Sequence, residues 1–222
     1  MFNQVRVVAY TFLTVLALAG CSSGNGGGNT AAEETGPRIV QPGAPGEDAR
    51  ELTPEELEDL EPIAHTAADV QFMQYMILHH RQALRMTALV PERTNRKDIP
   101  LLAERIDISQ QDELDRMTEW LEKRNEPVPP PGGEEAHAGH LPGMLSEEDF
   151  QRLEAVQGRR FDRLFLRSMI RHHEGALQMV TDLQESPGAG QEAEIAVFAG
   201  HVVADQSIEI NRMNLLLQEL AR

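Results

Sequence analysis

The chain has a single cysteine, Cys21, among 222 residues. That excludes an intrachain disulfide framework and any zinc site built on several cysteines. Aromatic residues are scarce, at 5% with one tryptophan, which disfavours an aromatic-rich β-sandwich and suits helices packed with Leu, Met and Ala. Positive charge is also in deficit. Twenty basic residues against thirty-six acidic ones leave a net charge of −16. Such a field repels phosphate backbones, so nucleic acid is excluded as a partner, and it attracts cations. No apolar run reaches the roughly 20 residues needed to span a bilayer as a helix. No Gly-rich phosphate loop, hydrolase elbow or nucleophilic cysteine is present. No segment combines β-branched richness with strict alternation, so strands are not expected.

What is present begins with Arg6 and an apolar stretch from Val7 to Ala19, too short to span and of the right length for a signal-peptide core. It ends Leu18-Ala19-Gly20-Cys21, which resembles a bacterial lipobox. Residues 1–20 are then a lipoprotein signal peptide, and Cys21 carries the lipid that attaches the chain to the membrane of the bacterial cell envelope. Loss of Arg6 with the signal takes the charge to −17. Residues 21–50, rich in Gly, Ser, Asn and Pro, read as a flexible tether, and residues 51–222 as the folded domain.

The folded part shows helical periodicity throughout. Thr53-Pro54-Glu55-Glu56 starts a short helix that Pro62 ends. Longer helices are expected from about His65 to Val90, Ile99 to Arg124, Ser146 to Gln184, and Gln191 to the end. Between the second and third lies a long crossover, about 125–145, rich in proline and glycine.

The chain repeats itself. At a shift of 93, Asp69 falls on Asp162, Phe72 on Phe165, Met76 on Met169, His79-His80 on His172-His173, and Met86 on Met179. Nine of the eighteen positions from Asp69 to Met86 are identical, where chance gives about one. At a shift of 96, Gln110, Glu113 and Met117 fall on Gln206, Glu209 and Met213. Two helical hairpins of one design, about 65–124 and 146–222, joined by one long crossover, make an all-α, ferritin-like four-helix bundle.

At 100° per residue Asp69, Met76, His80 and Ala83 form one stripe, with His79 and Met86 beside it. The third helix repeats this with Asp162, Met169, His172, His173 and Met179. Glu113 and Met117 share the inward face of the second helix, and Glu209 and Met213 that of the fourth. Ionisable groups from all four helices thus point at the bundle axis, where they must be paired or hold a metal. Paired imidazoles with thioethers at helical spacing favour copper over magnesium or calcium. The first-rank ligands are His79, His80, Met86, His172, His173 and Met179. Asp69, Met76, Glu113, Met117, Asp162, Met169, Glu209 and Met213 follow as further ligands or network members.

Two other readings use the same residues. A metal-free His–Glu–Gln network could fix helix register in a structural or interaction module of the envelope. A di-metal redox enzyme would use a Glu-x-x-His pair on each of two helices, and the only such pair here is Glu134 to His137 in the crossover, so an enzyme is not expected. His137, His140 and Met144 form a weak loop candidate, and His65 and His201 lack repeat partners.

The pattern Asp69-x-x-Phe72-x-x-x-Met76-Ile77-x-His79-His80-x-x-Ala83-x-x-Met86, repeated from Asp162, resembles the domain-of-unknown-function family 305, as does Gly143-Met144-Leu145-Ser146 in the crossover. The resemblance covers about Thr66 to Leu217. It implies a ferritin-like four-helix bundle in a secreted or lipid-anchored bacterial protein, and some relatives are associated with extracytoplasmic copper. On the matching positions it nominates the same four histidines with Met86 and Met179, then Met76 and Met169.

Overall fold

A computed structural model describes residues 39–41, 46, 48–58, 61–136 and 140–222. The expected signal peptide and Cys21 lie outside the described residues. The chain divides into two units, Met1–Leu60 and Glu61–Arg222.

In the first unit a two-residue antiparallel ladder pairs β1 (Val40–Gln41) with β2 (Arg50–Glu51), all exposed. This small pairing falls in the segment read as tether. Helix α1 (Pro54–Glu58) follows. The Thr53 hydroxyl accepts from Glu56 N at 3.2 Å, and the Glu56 carboxylate accepts from Thr53 N at 2.9 Å, the reciprocal cap that the Thr-Pro-Glu-Glu run encodes.

The second unit holds α2 (Ala67–Thr87), α3 (Val90–Arg93), α4 (Asp98–Lys123), α5 (Gly133–Ala136), α6 (Glu147–Glu154), α7 (Gly158–Glu185) and α8 (Ala193–Ala221). Helices α2 and α4 form one hairpin and α7 and α8 the other, and the hairpins meet through α2 against α7. Pro91 opens the single-turn α3 at the hairpin bend, where its missing N–H costs nothing. The expected third helix is two helices. α6 stops at Glu154, and the chain re-enters a helix at Gly158, whose φ of +57° breaks the run. No helix among the described residues is long and apolar enough to cross a membrane.

Asp69 closes a capping box at the start of α2. Its Oδ2 accepts from Thr66 N at 2.7 Å, and Thr66 Oγ1 accepts from Asp69 N at 3.2 Å. Its Oδ1 accepts from Gly190 N, beyond the end of α7, at 2.7 Å. The start of α2 therefore lies beside the end of α7, so these two helices run antiparallel, as a twofold axis perpendicular to both requires.

The core is two apolar clusters. One gathers Met76 and Met117 of the first hairpin with Ala176, Met179 and Leu183 of the second. The other gathers Met169 and Met213 of the second with Ala83 and Met86 of the first. Each cluster is the repeat image of the other. Along every long helix the polar residues His79-His80, Gln110 and Glu113, His172-His173, Gln206 and Glu209 fall between positions belonging to the two clusters. The bundle is thus apolar, polar, apolar in layers.

Candidate metal centre

Four imidazoles make the middle of the polar layer, and all four are fully buried. The rings of His79 and His172 stack across the approximate twofold axis, with centroids 3.7 Å apart and planes 31° from parallel. Outward from them, His80 Nε2–H donates to Glu113 Oε2 at 2.6 Å, and His173 Nε2–H donates to Glu209 Oε2 at 2.6 Å. The inner and outer rings of each pair are 6.3 Å apart.

The crossover covers this layer. His79 Nε2–H donates to the Pro142 carbonyl at 3.0 Å. Gln82 binds Leu145 at both backbone atoms, Nε2 to O at 3.0 Å and N to Oε1 at 2.7 Å. The repeat equivalent of Gln82 is Gly175, and there the crossover comes in on the backbone itself. A Cβ at Gly175 would sit 2.1 Å from the Pro142 oxygen, and one at Gly143, where φ is +74°, would sit 2.4 Å from Arg171 O. One hairpin grips the crossover with an amide, and the other makes room for it with a missing side chain.

Burial decides the charge of the inner rings. It pushes His79 down to about 3, aided by the neighbouring His80, while the Pro142 carbonyl pulls weakly the other way. Burial also holds His172 well below the usual imidazole range, and the charges of His79, His173 and His80 add to it. Both inner rings are neutral at pH 7.

The hydrogen bonds then fix where the lone pairs lie. In a neutral ring whose Nε2 donates, Nδ1 carries the lone pair. The Nδ1 atoms of His79, His80 and His173 are buried without a hydrogen-bond partner, and His172 has none at either nitrogen. Imidazoles that donate one nitrogen to a carboxylate or carbonyl and keep the other free match the outer-shell arrangement of metal-ligating histidines. Leaving such atoms unsatisfied costs about 1–3 kcal/mol each. The donor set therefore fits a soft or borderline metal. Among the described residues no three His, Cys, Asp or Glu side chains converge as ready ligands. A metal would draw on two imidazoles together with thioethers, or on small ring rotations.

The sequence-nominated residues sort clearly. The four histidines, Glu113 and Glu209 come together. The methionines flank them in two groups, Met76, Met117 and Met179 on one side and Met86, Met169 and Met213 on the other. Met86 and Met179 therefore join the sulfurs of the opposite hairpin rather than those of their own, because α2 and α7 are antiparallel. Asp69 and Asp162 do not reach the layer. They share its stripe, but ten or eleven residues along a helix is about 15 Å. Asp69 is a cap, and Asp162 lies near the α7 start with its Oδ1 unpartnered. His137 lies outside the described residues, His140 is exposed, and Met144, at the end of the crossover, is buried. His65 lies 3.7 Å from a Glu126 oxygen and edge-on to Trp120.

The opposite side of the layer is open. Helices α4 and α8 lie farther apart than the partners within each hairpin and meet through side chains, as Arg116 and His201 do at 3.2 Å. Between them runs a groove in two parts, about 350 and 240 Å³, sharing Ile108, Ser109 and Asp205. Glu209 lines the first part and Glu113 the second. Periodicity alone gave no reason to single out Asp205. The signal lay in the repeat, where position 205 is Asp and its equivalent, 109, is Ser.

The sequence profile of the domain of unknown function DUF305 matches residues 69–217. The chain is similar to a DUF305 fragment from Deinococcus radiodurans, 32% identical, over 70% of this chain and 98% of that one, with a TM-score of 0.62. A DUF305 protein of Streptomyces coelicolor described as secreted is 28% identical over 69% and 94% of the two chains, with a TM-score of 0.59. CopM, solved in its Cu(I)-bound form, is 26% identical over 68% and 96%, with a TM-score of 0.54. CopM has also been solved with Cu(II) and with silver. No curated protein sequence matches the chain.

Proposed function

The chain belongs to the DUF305 family, and from that premise we propose that it binds and handles copper outside the cytoplasm, anchored to the envelope membrane through a lipid on Cys21. One observation carries the reading: four buried imidazoles whose Nδ1 atoms have no partner, set between two methionine clusters, one of four thioethers and one of three. Imidazole nitrogen accommodates Cu(II), and thioether sulfur favours Cu(I). A layer offering both holds the metal across a change of oxidation state. The similarity to CopM, which binds Cu(I), Cu(II) and silver, supports the same class of metal. The secreted description of the Streptomyces coelicolor relative supports an extracytoplasmic place. The copper is cargo, and the protein works by stoichiometric binding rather than turnover.

The test is metal uptake by the mature domain. Cu(I) or Cu(II) should be retained and should raise the melting temperature, whereas Mg(II) and Ca(II) should not. Replacing His79 and His80 should remove part of the capacity, and replacing all four histidines most of it.

The metal-free network is the second reading, and the two short His–Glu hydrogen bonds favour it. It expects a melting curve indifferent to copper and a large loss of stability in the histidine variants without any metal present.

A further inference from the structure

The layer has two faces, and they differ. The crossover, pinned by Gln82 and Gly175, closes the α2–α7 face. On the α4–α8 face the His80 and His173 rings are screened from solvent by their carboxylate partners. The Glu113 side chain is 6% exposed and that of Glu209 9%. Both line the groove. Glu113 Oε1 is buried there without a hydrogen-bond partner, while Oε2 holds His80. Above them stands Asp205, one helical turn from Glu209 and in both parts of the groove. Burial first, then the charges of Glu113 and Glu209, hold its carboxyl above the usual range, against the opposing pull of His201 and Arg116. Arg116 divides its charge, since it is also held by Asp112 at 2.7 Å and meets His201 at 3.2 Å. Exposed Ile108 and Ile208 form apolar walls, and low-dielectric walls focus a field along a groove.

We propose that the groove between α4 and α8 is the port by which a metal cation reaches the buried histidines, with Asp205 capturing it and Glu113 and Glu209 passing it inward. This rests on the copper reading and adds the route. A carboxylate that bonds an imidazole through one oxygen and keeps the other buried without a partner, as Glu113 does, can receive a cation handed on from Asp205 and deliver it beside the ring. The repeat supplies the control. Position 109, across the axis from 205, carries serine, so Asp205→Ser makes the two hairpins alike at the mouth, and Ser109→Asp doubles the capture charge.

The experiment is stopped-flow uptake of Cu(II), followed by imidazole–copper absorbance, with the final stoichiometry read by metal analysis. Asp205→Ser should slow uptake about three- to tenfold at low ionic strength and flatten its salt dependence, leaving the stoichiometry intact. Ser109→Asp should speed uptake, which keeps the test valid if the first variant folds poorly. His140→Ala, on the crossover side, should leave the rate unchanged. Full stoichiometry with unaltered rates and salt dependence in both groove variants overturns the port alone. So does slowing by His140→Ala but not by Asp205→Ser. A wild-type protein that takes up no copper at equilibrium overturns the copper reading and the port with it.

Discussion

The His79 and His172 rings stack 3.7 Å apart with no carboxylate between them. Two imidazolium ions could not share that contact in a dry core, so the bundle folds around two neutral rings. This gives stability a defined pH dependence. An unfolded histidine titrates near 6.5. In the folded protein His79 is lowered to about 3, and His172 is well below its usual value. Below about pH 6.5 the unfolded chain therefore binds protons that the folded one refuses, and stability falls as pH falls. It is fully present above that pH. His79 contributes a slope of at most about 1.4 kcal/mol per pH unit between its two values, and His172 adds to it in the same direction. Urea unfolding of the metal-free domain at pH 7.5, 5.5 and 4.5 should show the decline, and His172→Leu should flatten it. A slope unchanged in that variant would show that other groups cause it.

The outer pairs behave differently because each ring has a partner. Glu113→Ala leaves the buried His80 Nε2–H with no acceptor and should cost about 3 kcal/mol. His80→Leu strands the carboxylate to similar effect. The double variant His80→Leu/Glu113→Leu removes both polar groups and should recover most of the loss. Denaturant midpoints for the three variants give the coupling. Simple additivity would mean that the 2.6 Å contact contributes little.

The repeat made most of this legible from sequence. Duplicated His-His, Gln, Glu and Met positions at shifts of 93 and 96 give two hairpins and an inward polar layer. Depth along the axis was not legible. Asp69 shares the stripe with His80 yet works as a cap, because periodicity reports angle and not distance. The exchange of Met86 and Met179 between clusters was hidden for a related reason: the antiparallel placement of α2 and α7 is a tertiary fact. The break before Gly158 was missed because the apolar spacing continues through it. The roles of Gln82 and Gly175 were invisible because they arise where two equivalent positions differ and meet the same crossover.

That difference can be tested. Gly175→Ala puts a methyl 2.1 Å from the Pro142 oxygen, where neither backbone can yield cheaply. It should cost about 3 kcal/mol and displace the acceptor of His79. Gly200, in the middle of α8 with nothing within 4 Å of its Cβ position, is the control. Gly200→Ala should stabilise by up to about 1 kcal/mol through helix propensity. Thermal melts of the two variants should therefore shift in opposite directions. Equal shifts would mean that the crossover does not pack on α7 as described.

On the proposed copper reading, the methionine groups decide how many ions the layer holds. Met76, Met117 and Met179 sit in one cluster and Met86, Met169 and Met213 in its repeat image. If each group serves its own end of the histidine layer, the domain binds two equivalents of Cu(I). Replacing one trio with leucine then removes one equivalent, and replacing both removes most of the Cu(I) while sparing Cu(II) on the imidazoles. Leucine nearly conserves volume, so each substitution should cost less than about 1.5 kcal/mol, and lost binding will not be mistaken for unfolding. Cu(I) competition against a chromophoric chelator gives the stoichiometry. A single ion shared at the twofold axis would instead be weakened equally by either trio, with the count staying at one. Unchanged Cu(I) binding in the sixfold variant would assign all six sulfurs to core packing and leave the histidines, with the remaining Met73 and Met144, as the candidate ligands.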